Sequence, residues 1–126
     1  MPWMTDSAPQ QREPGHAEQF VTLGELSMAS ERDGAVHSIR LFGELDLAGA
    51  GAVERELRRA EATDAESIVL DLSGLTFMDS TGVRLLVTAN ARSRADANRL
   101  TLRRGPAAVH RVLELSAVAD RLPFAE

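Results

Sequence analysis

The run Ile68-Val69-Leu70-Asp71-Leu72 is flanked on both sides by segments whose apolar residues recur at helical spacing. Upstream, Val53, Leu57 and Ala60 follow an i, i+4, i+7 pattern, and Glu54 stands four residues before Arg58, the spacing of an ion pair on a helix surface. Downstream, Val83, Leu86, Val87 and Ala91 mark one side of a second helix. A strand between two helices needs crossover connections, and these build a parallel sheet from right-handed βαβ units. The uninterrupted β-rich run reads further as a central strand buried on both faces.

The other elements extend this unit. Phe20, Val21, Leu23, Leu26 and Met28 predict one strand over 20–30 with a bulge at Gly24. A hairpin turn follows at Ser30–Gly34, because Asp33-Gly34 supplies a position with φ > 0. The next strand, 36–45, places Ile39 and Leu41 on one face and Ser38, Arg40, Phe42, Glu44 and Asp46 on the other. Then come a helix over 48–60, a strand over 67–72, a helix over 81–94 and a strand over 99–103. Gly105-Pro106 opens a third helix, Pro106 in its first turn, with Val109, Val112, Leu113 and Ser116 on its inner side. Arg121 to Phe124 predicts a last strand, at an edge because of Pro123. The order β-β-α-β-α-β-α-β is that of an α/β domain. It predicts a mixed, mostly parallel sheet of four to five strands, with an N-terminal hairpin and about three helices packed on it.

Residues 1–18 differ in kind. They hold three of the five prolines and mostly polar residues otherwise, a composition that buries too little to offset chain entropy. They read as a flexible tail, and 19–126 as the one folded domain that 126 residues allow. Trp3, the only tryptophan, is either solvated or an anchor that docks on a partner or on the domain.

Composition narrows the chemistry. The chain has no cysteine, and all 14 basic residues are arginine. Thiolate metal sites, a phosphate-loop lysine and Schiff-base chemistry are therefore excluded. A net charge of −5 speaks against nucleic acid or an anionic membrane as partner. No apolar run reaches membrane-spanning length and no secretory leader is visible, so the expected location is the cytoplasm. His16, His37 and His110 share no metal-binding spacing, and neither metal nor cofactor is expected.

Two loops lie at the carboxyl ends of strands, where open α/β sheets carry their sites. One is Gly43-Glu44-Leu45-Asp46. The other is Thr76-Phe77-Met78-Asp79-Ser80-Thr81-Gly82. Glu44, Asp46 and Asp79 could together hold a cation or exchange protons, but capping accounts for the aspartates more simply. Asp79 or Ser80 is expected to cap the helix that follows. Gly82 costs about 1 kcal/mol relative to alanine inside a first turn, which suggests a surface that something approaches closely.

The stretch from Ser67 to Val83, Ser-Ile-Val-Leu-Asp-Leu-Ser-Gly-Leu-Thr-Phe-Met-Asp-Ser-Thr-Gly-Val, resembles the signature of STAS domains, in particular bacterial anti-sigma factor antagonists. Gly43-Glu44-Leu45-Asp46 matches a second motif of that family, and the likeness runs from about Phe20 to Phe124. The resemblance implies the STAS fold and no catalytic activity. It implies an unphosphorylated antagonist that binds an anti-sigma factor, a serine kinase of the histidine-kinase-like ATPase fold, and so releases a sigma factor. Phosphorylation ends that interaction and a metal-dependent serine phosphatase restores it. By the motif the phosphoacceptor is Ser80, and the partner-facing residues are Glu44, Asp46, Asp79, Ser80, Thr81, Gly82 and Arg84. Many family members are apolar where this chain has Arg84, which stands one helical turn after Ser80 and could pair with a phosphate there. The family's C-terminal helix is expected to be missing, because the chain ends at Glu126. The alternative is a STAS subunit of another regulatory or lipid-transport complex with no phosphorylation switch. An enzyme using the three carboxylates is a third reading, and the missing lysine, phosphate loop and histidine cluster weigh against it.

Overall fold

The computed structural model describes residues 17–125. The expected tail therefore lies outside the described residues, except that Ala17 and Glu18 already belong to the first strand. The elements are β1 (Ala17–Leu23), β2 (Leu26–Asp33), β3 (Val36–Leu45), α1 (Leu47–Glu61), β4 (Ser67–Met78), α2 (Ser80–Ala95), β5 (Leu100–Arg103) and α3 (Ala107–Leu115). A 3-10 turn over Ala119–Arg121 follows. One five-stranded sheet has the order β1-β2-β3-β4-β5. Its first two pairings are antiparallel and its last two parallel.

The expected single strand over 20–30 is two strands. Leu23 pairs with Leu26 around the two-residue turn Gly24-Glu25. Gly24 has φ +61°, as Gly34 does in the second hairpin, and φ > 0 at the first central residue alone is what a type II′ turn requires. Reading Gly24 as a bulge missed that turn, so the sheet is half antiparallel rather than mostly parallel.

β3 alternates as expected, with His37, Ile39, Leu41 and Leu45 buried. β4 alternates too: Ile68, Leu70 and Leu72 are buried while Val69 is only half-buried. The central strand is thus covered on one face, not two, because all three helices share one side of the sheet. α1 packs on β1, β2 and β3, α2 on β4 and β5, and α3 on β4. Past Leu72 the buried positions of β4 are Leu75 and Met78, at a spacing of three. Two register shifts against β3 account for it. Each puts an extra residue into β4 and turns the next side chain back toward the core. β4 consequently runs to Met78, six residues past its expected end.

α1 buries Val53, Leu57 and Ala60 as its period predicts, and Glu54 pairs with Arg58 at 3.0 Å. α2 is rotated from the expected face. It buries Gly82, Leu85, Leu86, Ala89 and Asn90, and leaves Val87 exposed. The small residues Gly82 and Ala89 permit close packing, and Asn90 donates to the Arg121 carbonyl at 3.2 Å. In α3, Pro106 is the residue before the helix rather than within its first turn. The expected last strand is reduced to a single parallel bridge between Phe124 and Leu102. Leu102 donates to the Pro123 carbonyl at 2.9 Å, so the proline does take the edge position its missing N–H requires.

Candidate functional site

β3 and β4 lie side by side and each turns directly into a helix. Leu45 and Met78 are register partners, and the Asp79 N–H donates to the Leu45 carbonyl at 3.3 Å. The next residue on each strand is an aspartate. Asp46 accepts from the Ala48 N–H at 3.1 Å and caps α1. Asp79 accepts from the Thr81 N–H at 2.9 Å and caps α2. Asp46 caps α1 as expected, and of the two candidates for α2, Asp79 and Ser80, it is Asp79 that caps; each cap contributes about 1 kcal/mol.

Ser80 is the first residue of α2 and is exposed, whereas Thr81 is half-buried. Among the described residues nothing hydrogen-bonds the Ser80 hydroxyl. Gly82 does not do what was expected of it. It is buried, and a Cβ there would stand 2.8 Å from Met78 Sδ and 3.1 Å from Leu45 Cδ2. Its missing side chain makes room for the core beneath the site, not for a partner above it.

Gly43 has φ +89°, and a Cβ would collide with the Glu25 carbonyl. That carbonyl accepts from the Glu44 N–H at 3.0 Å. The glycine of the first motif thus lets the β1–β2 turn grip the end of β3. Glu44 is half-buried and is the register partner of Phe77, one strand position before the Leu45–Met78 pair. Glu44, Asp46 and Asp79 are not drawn into one cage: among the described residues no three His, Cys, Asp or Glu groups are placed to hold a metal ion. Arg84 is exposed and lines a shallow groove of about 250 Å³ between α1 and α2, with Ala50, Gly51, Glu54, Thr81, Leu85 and Thr88.

Two apolar residues at this end of the sheet escaped the sequence reading. Leu47, the first residue of α1, is 79% exposed, and Phe77 is 46% exposed. The signal for Leu47 was available, since it falls outside the period that buries Gly49, Val53 and Leu57. Phe77 was hidden by the second bulge of β4.

A second cavity of about 250 Å³ lies at the opposite end of the helices, over Leu57, Ile68 and Leu100. Its rim charges are used internally. Arg92 pairs with Glu54 at 2.7 Å and Glu61 at 3.0 Å, and Arg99 donates to the carbonyls of Glu61, Thr63 and Ala65.

A family model described as Mlab, STAS domain, matches residues 28–123. Among solved structures, an anti-sigma factor antagonist from Mycobacterium paratuberculosis is similar at TM-score 0.69 and 21% identity, over 79% of this chain and 84% of that one. The anti-sigma factor antagonist SpoIIAA in its unphosphorylated form is similar at TM-score 0.61 and 25% identity, over 87% and 89% of the two chains. The Bacillus cell fate determinant SpoIIAA in its phosphorylated form is similar at TM-score 0.56 and 25% identity, over 87% and 92%. No curated protein sequence matches the chain.

Proposed function

The chain belongs to the STAS-domain family, and from that premise we propose that it is an anti-sigma factor antagonist switched by phosphorylation of Ser80. The observation that carries the proposal is the exposed, unbonded hydroxyl at the first position of α2. The unphosphorylated domain binds an anti-sigma factor, a serine kinase of the histidine-kinase-like ATPase fold, and a sigma factor is released. A metal-dependent serine phosphatase resets it. The contact surface comprises Glu44, Asp46, Asp79, Ser80, Thr81 and Arg84, with Leu47 and Phe77 as its apolar part, and it works in the cytoplasm. The domain needs no catalytic group of its own. A solved relative bearing the antagonist name exists in both phosphorylation states, which supports the reading.

The switch has a physical account. A phosphate on Ser80 adds about −1.5 to −2 charges. The open N–H groups and dipole of a helix N-terminus favour an anion by about 0.3–1 kcal/mol, so the phosphorylated domain keeps its fold. The effect is then intermolecular, because a partner closing over Leu47 and Phe77 must also desolvate the phosphate. A hundredfold loss of affinity needs only about 2.7 kcal/mol, within what one buried unpaired charge costs.

The test is a titration of wild type, Ser80→Ala, Ser80→Asp and the phosphorylated form against the cognate anti-sigma factor, with a thermal melt of each. Ser80→Ala should bind as wild type and resist the switch. Ser80→Asp should bind more weakly, and the phosphorylated form about a hundredfold more weakly. Phosphate located on Thr81, or a phosphorylated form that binds like wild type, would overturn the proposal. The other reading, a STAS subunit of a different complex without the switch, is kept by a matched family model that carries the name Mlab. Copurification with transport components instead of a kinase-like ATPase would favour it.

A further inference from the structure

The face of the sheet opposite the helices carries an aromatic pair that no other element among the described residues packs over. Phe20 of β1 is 64% exposed. It stacks on Phe42 of β3 with ring centroids 6.0 Å apart and planes within 11°. The pair spans β2, whose residues on this face are small: Ala29 pairs with Phe20, and Ser27 with Phe42. Arg40 stands 5.9 Å from the Phe42 ring centroid. On the far side Gly74, at the first bulge of β4, has no room for a Cβ beside the Phe42 ring. Phe42 is therefore half-buried, held between Arg40 and the backbone of β4, and Phe20 is the ring that offers open surface.

β1 enters this face directly from the N-terminal segment. That segment has an uneven composition: Met1, Pro2, Trp3 and Met4 are apolar, and Thr5 to His16 are mostly polar. Fourteen chain steps separate Trp3 from Ala17, and a flexible chain of that length has a root-mean-square span of about 20 Å. Phe20 lies three strand residues from Ala17, about 10 Å away, and Phe42 is two strands over, about 10 Å across. A tether whose span is comparable to the distance gives a local concentration in the millimolar range. An indole adds to an offset-stacked phenyl pair by the same stacking or edge-to-face geometry.

We propose that the Phe20–Phe42 platform is an intramolecular docking site for the indole of Trp3. The proposal does not depend on the reading of Ser80, because the platform is on the sheet face and not at the strand ends. The polar stretch between anchor and strand needs no fixed conformation.

The experiment uses the full chain. Trp3 is the only tryptophan and there is no tyrosine, so indole fluorescence reports this residue alone. Emission and acrylamide quenching are compared for wild type, Phe20→Ala, Phe42→Ala and the control Val21→Ala, with circular dichroism to verify each fold. Val21 pairs with Met28 on the helix side of β1. With at least about half the molecules docked, wild type and Val21→Ala should emit at shorter wavelength than the urea-unfolded chain. Their quenching constant should be about twofold below that of folded Phe20→Ala and Phe42→Ala. The proposal is overturned if wild-type Trp3 already behaves as in urea, or if its protection survives both phenylalanine variants. Protection that vanishes on dilution, together with a dimer in sedimentation, would assign the face to a second copy and overturn it equally.

Discussion

The start of α1, Asp46-Leu47-Ala48-Gly49, and the start of α2, Asp79-Ser80-Thr81-Gly82, lie at the ends of adjacent parallel strands and share one backbone solution. Each has an aspartate cap bonded to the N–H two residues on. Each has a buried glycine at the third helical position, Gly49 against Leu26 and Gly82 against Met78. They differ at the first helical position, where α1 exposes Leu47 and α2 exposes Ser80. The shared parts build the scaffold. The differing residue is where one helix start offers apolar surface and the other offers a hydroxyl that can gain charge. On the proposed function, the first supplies affinity and the second controls it.

The largest expected effect breaks the apolar half of this comparison. Leu47→Asp puts a carboxylate at the α1 position equivalent to Ser80. Burying a leucine side chain is worth about 1.5–3 kcal/mol, so affinity for the anti-sigma factor should fall about ten- to hundredfold. The melting temperature should hold, because Leu47 is already 79% exposed and acidic residues suit a first turn. Wild-type affinity by calorimetry would remove α1 from the interface.

Next in size is a test of the scaffold. Gly82→Ala places a Cβ 2.8 Å from Met78 Sδ, and Gly49→Ala one 2.6 Å from Leu26 Cδ2. Overpacking of this kind costs about 1–3 kcal/mol, and the gain in helix propensity returns up to about 1. Both variants should lose about 1–2 kcal/mol in urea denaturation. A Gly82→Ala domain as stable as wild type but defective in binding would return the glycine to the contact surface.

Much of this was legible in the sequence. The hairpin at Asp33-Gly34, the helical period of α1, the alternation of β3 and the caps all follow from local chemistry. The misses have one physical origin: they depend on what a neighbouring element does. Gly24 looks the same as bulge or turn until Leu23 and Leu26 are known to pair. The three-residue spacing of Leu72, Leu75 and Met78 marks two bulges only when β3 supplies the register. Gly82 reads as an oddity in isolation and as necessary once Met78 lies beneath it. Ser30 and His37 stand on one hairpin and Glu56 lies 26 residues beyond Ser30, yet the three form a buried polar cluster. Even the likeness of the two helix starts, Asp-x-x-Gly in both, stood in the sequence and acquired meaning only when Leu45 and Met78 proved to be neighbours.

A smaller effect measures how equivalent the two caps are. Asp46→Ala and Asp79→Ala should each cost about 1 kcal/mol, roughly 4 °C in melting temperature for a domain of this size. Costs differing by more than about 1 kcal/mol would mean that one aspartate does more than cap.

The smallest effect concerns how the two helices are fastened to the sheet. α1 is tied down by a buried polar chain. His37 Nε2 lies 2.8 Å from Ser30 Oγ, which donates to Glu56 Oε2 at 2.6 Å, and Arg59 donates to Glu56 Oε1 at 3.0 Å. With its proton committed to Glu56, Ser30 can only accept from the imidazole, so Nε2 carries the ring proton. Among the described residues the buried His37 Nδ1 has no hydrogen-bond partner, so none of them accepts a second ring proton. Among the described residues α2 has no titratable tie of this kind to the sheet, only neutral bonds: Ser93 Oγ accepts from the Leu100 N–H of β5 at 3.0 Å, and Asn90 donates to the Arg121 carbonyl of the 3-10 turn. Burial holds the His37 pKa below its ordinary 6.5, with the Arg32 and Arg59 charges acting the same way and Glu56 opposing them. The sign of the effect on stability follows from that direction. As pH falls through about 6.5 the unfolded chain takes up the proton first. Stability is therefore complete above that pH and declines toward the lower, folded-state value. Melting temperature should be level between about pH 7 and 8 and fall as the pH drops below about 6.5. His37→Gln, which can still donate to Ser30 and does not titrate, should flatten that part of the profile. A slope that survives His37→Gln would place its origin in other titratable groups instead, and the α1 tie would then not be the source of the pH dependence.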